Sequence, residues 1–231
     1  PLDMESVDAA AASLVEADIE SVAVCLIHAY ANGAHEEAIA KRLSEQAPGI
    51  SVSLSSRVSA KIREYERVST TLANAYVKPI VGRYLNDLET SLKEAGFTPD
   101  LFVMQSNGGL VSTALAKEYP VRIIESGPAA GVLMCGVVGR EEGFDHVLTF
   151  DMGGTTAKIG AIDEGVPAIT TTFEVDAVAY RRYSGLPLNI PAVELLEIGA
   201  GGGSIARTDT GLIEVGPQSA GADPGPMCYG A

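Results

Sequence analysis

The 231-residue sequence has no tryptophan and only three cysteines. Cys25, Cys135 and Cys228 are odd in number, far apart and without a CxxC pair. This excludes a disulfide framework and fits reduced thiols in a cytoplasmic protein. Basic residues are scarce, 16 Lys and Arg against 30 Asp and Glu, giving a net charge of −14. That balance argues against nucleic acid or an anionic membrane as the partner. No basic leader precedes an apolar stretch, and no uninterrupted apolar run approaches the ~18 residues of a membrane span. His28, His35 and His146 do not share a metal-like spacing. No Ser-His-Asp or Cys-His arrangement can be argued from spacing. The chain starts at Pro1, not Met, and ends without a tail, so it is expected to be incomplete at both ends.

The 46% hydrophobic content is ample for a packed core, and 25 glycines exceed average usage. Residues 5–17 read as a helix, 21–30 as a strand buried on both faces, 34–47 as an amphipathic helix and 50–54 as an alternating strand. This order predicts an α/β layer with a largely parallel sheet. Residues 62–95 form the longest helical pattern, with Tyr65, Val68, Leu72, Tyr76 and Ile80 at helical spacing. Pro79 is expected to kink or split it, and Gly96 to cap it. Arg63, Glu64, Glu66 and Arg67 read as a solvated face with i,i+3 pairs. Residues 101–104 read as a short buried strand.

From residue 105 onward the glycines cluster: SNGG (106–109), SGPAAG (126–131), DMGGTT (151–156), GAGGGS (199–204) and GADPGP (221–226). Residues 125–138 read as a helix of small residues entered through Gly127 and Pro128, with Pro128 at the first helical position. Small residues let such a helix approach a neighbour closely, and Cys135 reads as packing rather than nucleophile. Strands at 147–150 and 157–162 flank Asp151–Thr156, which predicts a hairpin with a functional tip. Gly153 and Gly154 lack Cβ, so their amides can close on a phosphate. Thr155 and Thr156 add hydroxyl donors, and Asp151 could hold Mg²⁺ through water. The segment is neither a P-loop nor a dinucleotide turn. The plain alternative is an ordinary Gly-Gly hairpin with an Asp cap. SNGG sits where α/β sheets bind ligands, at a carboxyl strand end, or is simply a turn.

The small-residue helix followed by DMGGTT resembles the connecting helix and second phosphate motif of the actin-like ATPase superfamily. The resemblance implies two ribonuclease-H-like halves with mixed sheets and flanking helices, around a nucleotide. Residues 1–125 would then close the first half, with a long helical insertion, and 126–231 would supply the connecting helix and open the second. The superfamily's first phosphate loop has no match here.

Six blocks resemble the hydantoinase A / 5-oxoprolinase family more closely: 23–36, 63–79, 104–109, 125–131, 151–156 and 198–230. The resemblance implies cytoplasmic, ATP- and Mg²⁺-dependent hydrolysis of a cyclic amide of the hydantoin, N-methylhydantoin or 5-oxoproline type, with a B-type subunit or domain as partner. It implies Asp151 as the catalytic and metal residue. It implies nucleotide contacts from Gly127, Gly153, Gly154, Thr155 and Thr156, and from Gly201, Gly202, Gly203 and Ser204. That last loop could equally be flexible or a tight bend. Alternatives are an actin-like ATPase switch and an ATP-dependent ketone carboxylase subunit. Many relatives carry an acid where this chain has Lys158, which either meets a phosphate or is a solvated lysine. The piece alone is expected to be inactive, because one phosphate loop cannot enclose a triphosphate.

Overall fold

The computed structural model describes residues 1–175, 184–208, 211–221, 223, 225–227 and 230. The chain divides into two units, Pro1–Ile124 with Thr171–Ala192, and Glu125–Thr170 with Val193–Ala231. The whole is α/β, with parallel and antiparallel pairing in separate sheets.

In the first unit, helix α1 (Met4–Glu16) opens at Asp3, whose carboxylate accepts the Glu5 amide at 3.1 Å. Strand β1 (Ser21–Val24) and strand β2 (Ser51–Leu54) pair in parallel, Val24 opposite Leu54, around helix α2 (Ala34–Gln46). Ala11, Val24, Leu43 and Leu54 form their core. The expected strand to Tyr30 is corrected: it ends at Val24, and Ile27 is 77% exposed. The Leu26 amide donates to the Glu36 carboxylate at 2.9 Å, which ties the chain to α2 and turns it at residues 27–30.

A short helix α3 (Ser55–Val58) leads to helix α4 (Glu64–Glu94), which continues through Pro79 without splitting. Its expected apolar stripe faces outward, with Tyr65, Leu72, Tyr76 and Ile80 exposed. The buried face is mostly polar: Arg67, Ser69, Thr70, Thr71, Asn74 and Ala75. Gly96, at φ +84°, ends the helix as expected, its amide reaching the Lys93 carbonyl at 3.0 Å.

Strands β3 (Phe102–Met104) and β4 (Leu110–Ser112) make an antiparallel hairpin, and Phe102 is exposed rather than buried as expected. Helix α5 (Thr113–Glu118) and a 3-10 turn (Pro120–Ile123) follow. Val58, Val121, Leu188 and Ile190 form a second core.

In the second unit, helix α6 (Ser126–Glu141) carries Pro128 at its third position, not its first. Strands β5 (Val147–Met152) and β6 (Ala157–Asp163) form the expected hairpin, and strand Leu195–Ile198 pairs with the other edge of β6. The small residues of α6 serve close packing. A Cβ on Gly139 would lie 2.7 Å from Val147 Cγ2, and one on Gly160 2.6 Å from Val132 Cγ2. Ala129, Val132, Ile162 and Val193 are the core. Cys135, expected to pack, faces outward instead. Among the described residues no helix is long and apolar enough to cross a membrane.

Candidate functional site

The hairpin ladder carries Asp151 opposite Lys158 and Met152 opposite Ala157. The Gly153 amide then donates to the Thr156 carbonyl at 2.9 Å and closes the tip. Asp151 through Thr155 are exposed. No hydrogen bond joins the amides of Gly154, Thr155 or Thr156 to another group among the described residues. These three donors are available to a ligand.

The GAGGGS loop folds against this tip. The Gly202 amide donates to the Gly153 carbonyl at 2.9 Å, and the Gly203 amide to the Gly154 carbonyl at 2.8 Å. The Gly201 amide donates to Ser204 Oγ at 2.7 Å. A side chain would wedge the two apart. A Cβ on Gly201 would lie 2.6 Å from the Gly153 oxygen, and one on Gly203 3.0 Å from the Gly154 oxygen. The structure thus brings together Gly153, Gly154, Gly201, Gly202, Gly203 and Ser204. It commits the amides of Gly202 and Gly203 to bracing the tip and that of Gly201 to Ser204 within the loop. Gly127 lies exposed in the first turn of α6, with open space where a Cβ would be. No hydrogen bond joins it to the tip among the described residues.

Lys158 is not the solvated lysine that was one of its expected alternatives. Its ammonium pairs with Glu125 and, at 2.5 Å, with Glu197. Burial lowers its pKa, but the hydrogen bonds and charges of Glu125 and Glu197 outweigh that and leave it raised. Glu125, at φ +62°, is the residue that enters α6, so this cluster ties the helix entry to the hairpin.

The tip fits a phosphate, because it presents unpartnered backbone donors without side chains in the way. It offers one carboxylate, Asp151. No group of three or more His, Cys, Asp or Glu converges anywhere among the described residues. A single carboxylate suits Mg²⁺, which keeps waters and phosphate oxygens as its other ligands, and not a protein-only cage.

SNGG is the turn between β3 and β4. The Gln105 amide donates to the Gly109 carbonyl at 2.7 Å, and Ser106 Oγ to the Arg122 carbonyl at 2.8 Å. His146 immediately precedes β5 and hydrogen bonds Asp163 at 2.6 Å. His28 sits in a turn at φ +60°. Cys228 and residues 222 and 224 of the GADPGP cluster lie outside the described residues.

The solvated face expected at residues 63–67 is corrected at Arg67. Its i,i+3 pair with Glu64 exists at 3.3 Å, but Arg67 is 0% exposed. It donates to the carbonyls of Leu26 and Lys61 at 3.0 and 3.1 Å and to Ser55 Oγ at 3.2 Å. Glu36, equally buried, accepts from Ser55 Oγ and from the amides of Leu26 and Ser56. Glu36 did not stand out in the sequence, and Arg67 did so only as part of the solvated face. The available signal was the run of small polar residues at Ser69, Thr70, Thr71 and Asn74, which marks the inward face of α4.

These observations define an α/β protein in which two glycine clusters build one exposed cradle of backbone amides on a β-hairpin. Residues 67–231 match the hydantoinase/oxoprolinase family and residues 1–47 its N-terminal region, and the chain belongs to that family. It is 37% identical to caprolactamase subunit alpha of Pseudomonas jessenii, over all of this chain and 32% of that one. The crystal structure of ATP-dependent caprolactamase from the same organism superposes with a TM-score of 0.80 at 35% identity, over 100% of this chain and 32% of that one. The 5-oxoprolinase of Saccharomyces cerevisiae is 33% identical over 98% of this chain and 17% of its own length. The nucleotide-free structure of acetone carboxylase, from work on ATP-dependent acetone carboxylation, has a TM-score of 0.78 at 30% identity, over 96% of this chain and 31% of that one. The chain therefore spans about a third or less of the relatives it matches.

Proposed function

We propose that this chain is the phosphate-binding centre of a longer, cytoplasmic, ATP-dependent enzyme that opens a cyclic amide of the hydantoin, N-methylhydantoin or 5-oxoproline type. The reading places its two units in ribonuclease-H-like halves of the actin-like kind, with a B-type subunit or domain as partner. The observation that carries it is the set of unpartnered amides at Gly154, Thr155 and Thr156 on a tip braced by Gly202 and Gly203.

When bound, ATP would supply a phosphoryl group to the amide oxygen, which makes the ring carbonyl carbon a better electrophile for water and lets the ring nitrogen depart. The chain's part is positioning and charge neutralisation, on which phosphoryl transfer depends. The three amides and the Thr155 and Thr156 hydroxyls hold phosphate oxygens. Asp151 holds Mg²⁺ through water. Gly201–Ser204 keep the tip in place, and Gly127 opens the helix leading to it. With 30 acidic residues against 16 basic, the chain relies on backbone dipoles and the cation to accept an anionic nucleotide.

Resemblance to acetone carboxylase supports a second reading, an ATP-dependent ketone carboxylase subunit, with the same role for the tip. The test uses the full-length protein with its B-type partner. ATP hydrolysis is followed with hydantoin, 5-oxoproline, caprolactam, acetone plus bicarbonate, or no addition. Stimulation by a ring amide, lost in Asp151→Ala, is expected. Stimulation by acetone alone moves the chain to the carboxylase reading, and response to neither discards both.

A further inference from the structure

The first unit contains a cavity of about 350 Å³. It lies at the end of the β3–β4 hairpin, where Gln105 and Asn107 face the segment Arg57–Lys61, Arg122 and Asn189–Pro191. In a chain of net charge −14 with 16 basic residues, three of them line this one cavity.

Their charges are not equally engaged. Arg57 already makes two 2.6 Å hydrogen bonds with the Glu37 carboxylate. Among the described residues, Lys61 and Arg122 meet no carboxylate. Lys61 Nζ donates to Asn189 Oδ1 at 2.7 Å. The Arg122 guanidinium stands over the Tyr119 ring at 4.6 Å and gives one long hydrogen bond, 3.4 Å, to the Val58 carbonyl. It is held in place with donors to spare. Ser59 is 5% exposed, and its buried hydroxyl has no partner among the described residues. A buried polar group without a partner costs free energy and calls for an explanation such as an absent ligand. Three carboxamides, Gln105, Asn107 and Asn189, complete the wall.

We infer that this cavity binds the carboxylate of a small amide-bearing molecule, with Lys61 and Arg122 taking the carboxylate and Ser59 and the carboxamides taking the amide. Lysine and arginine form charge-assisted hydrogen bonds with carboxylates, the arginine through two parallel N–H groups. A carboxamide matches an amide because each carries one acceptor and N–H donors. The volume suits a molecule of one small ring. The inference rests on the proposed ring-opening function and deepens it. It favours a ring that carries an acid group, or the acid released on opening, over a neutral lactam.

The test is calorimetric titration of the full-length protein with its B-type partner. The probes are 5-oxoproline, 2-pyrrolidinone (the same ring without the carboxylate), glutamate (the opened acid) and inorganic phosphate. The expected result is at least tenfold tighter binding of 5-oxoproline or glutamate than of 2-pyrrolidinone. The tighter of the two acids tells whether the carboxylate is the substrate's or the product's. Lys61→Gln and Arg122→Gln should each weaken that acid about tenfold and leave 2-pyrrolidinone unchanged. Equal binding with and without the carboxylate, an unaltered acid affinity in Lys61→Gln, or tighter binding of phosphate than of either acid overturns the inference. The two readings fail separately. ATP hydrolysis stimulated equally by neutral and acidic rings keeps the function and discards the cavity. Charge-dependent binding of 5-oxoproline without any ring-stimulated ATP hydrolysis does the reverse.

Discussion

Lys158 on β6 sits directly across from Glu197 on the neighbouring strand, and their charged groups meet at 2.5 Å. Replacing Lys158 by Met leaves the carboxylates of Glu125 and Glu197 without their shared cation. The variant should lose about 1.5–3 kcal/mol in denaturant unfolding of the full-length protein, the cost of hydrogen bonds to a charged group. Glu197→Gln should cost less than about 1 kcal/mol, because that side chain is half exposed. Equal effects would mean the cluster is not centred on the lysine.

Gly201→Ala and Gly127→Ala should behave oppositely. A methyl group at 201 meets the Gly153 and Gly154 backbone at 2.6–2.8 Å, whereas at 127 it meets nothing within 4 Å. The first variant should cost about 1–3 kcal/mol and raise the KM for ATP. The second should leave stability within about 0.5 kcal/mol. Both are read by thermal unfolding and steady-state ATP hydrolysis of the complete enzyme.

Arg67→Met removes a buried guanidinium that holds the Leu26 and Lys61 carbonyls. A loss of about 3–5 kcal/mol is expected, as when one partner leaves a buried charged network. Arg63→Met, on the solvent side of the same turn, should change stability by less than about 0.5 kcal/mol. Similar values for the two would contradict the buried network.

Acid should weaken the first unit through Glu89 and Asp8. The hydrogen bonds from Lys117 and then Thr113 hold the Glu89 carboxyl below the usual range, and Arg42 does the same for Asp8. A carboxyl lowered in the folded state stabilises above its unfolded pKa, and that gain is lost as pH falls through the folded value. Stability should therefore decline from about pH 4 downward. The decline should be shallower in Lys117→Gln, as followed by circular dichroism against pH.

Cys25 and Cys135 should differ in reactivity. Burial pushes the Cys25 thiol above its ordinary value, while Cys135 is exposed on α6. Only the thiolate attacks iodoacetamide, so at pH 8 mass spectrometry should find Cys135 alkylated well before Cys25. Faster labelling of Cys25 would contradict its burial.

The sequence made the βαβ opening of the first unit legible, because α1, α2 and β2 follow simple periodicity. The β5–β6 hairpin and its tip were legible from glycine placement alone. What misled was the polarity of α4. Its Tyr and Leu stripe looks like a buried face, yet the helix buries hydroxyls and Arg67, because the groups it must satisfy are the carbonyls of Leu26 and Lys61. Such a network is a tertiary match between distant segments, and local periodicity carries no trace of it. Nor could spacing show that Gly202 and Gly203 reach Gly153 and Gly154. That contact depends on how the chain returns to β6.

The contact between those glycines also sets a direction. Within one trans peptide plane the carbonyl and the next amide point opposite ways. Anchoring the Gly153 carbonyl to the Gly202 amide therefore turns the Gly154 N–H away from the loop, and anchoring the Gly154 carbonyl does the same for Thr155. The second glycine cluster acts as a mount that aims two donors outward before any anion arrives. The orientation is then a property of the resting fold, and a ligand need not reorganise the backbone to obtain it.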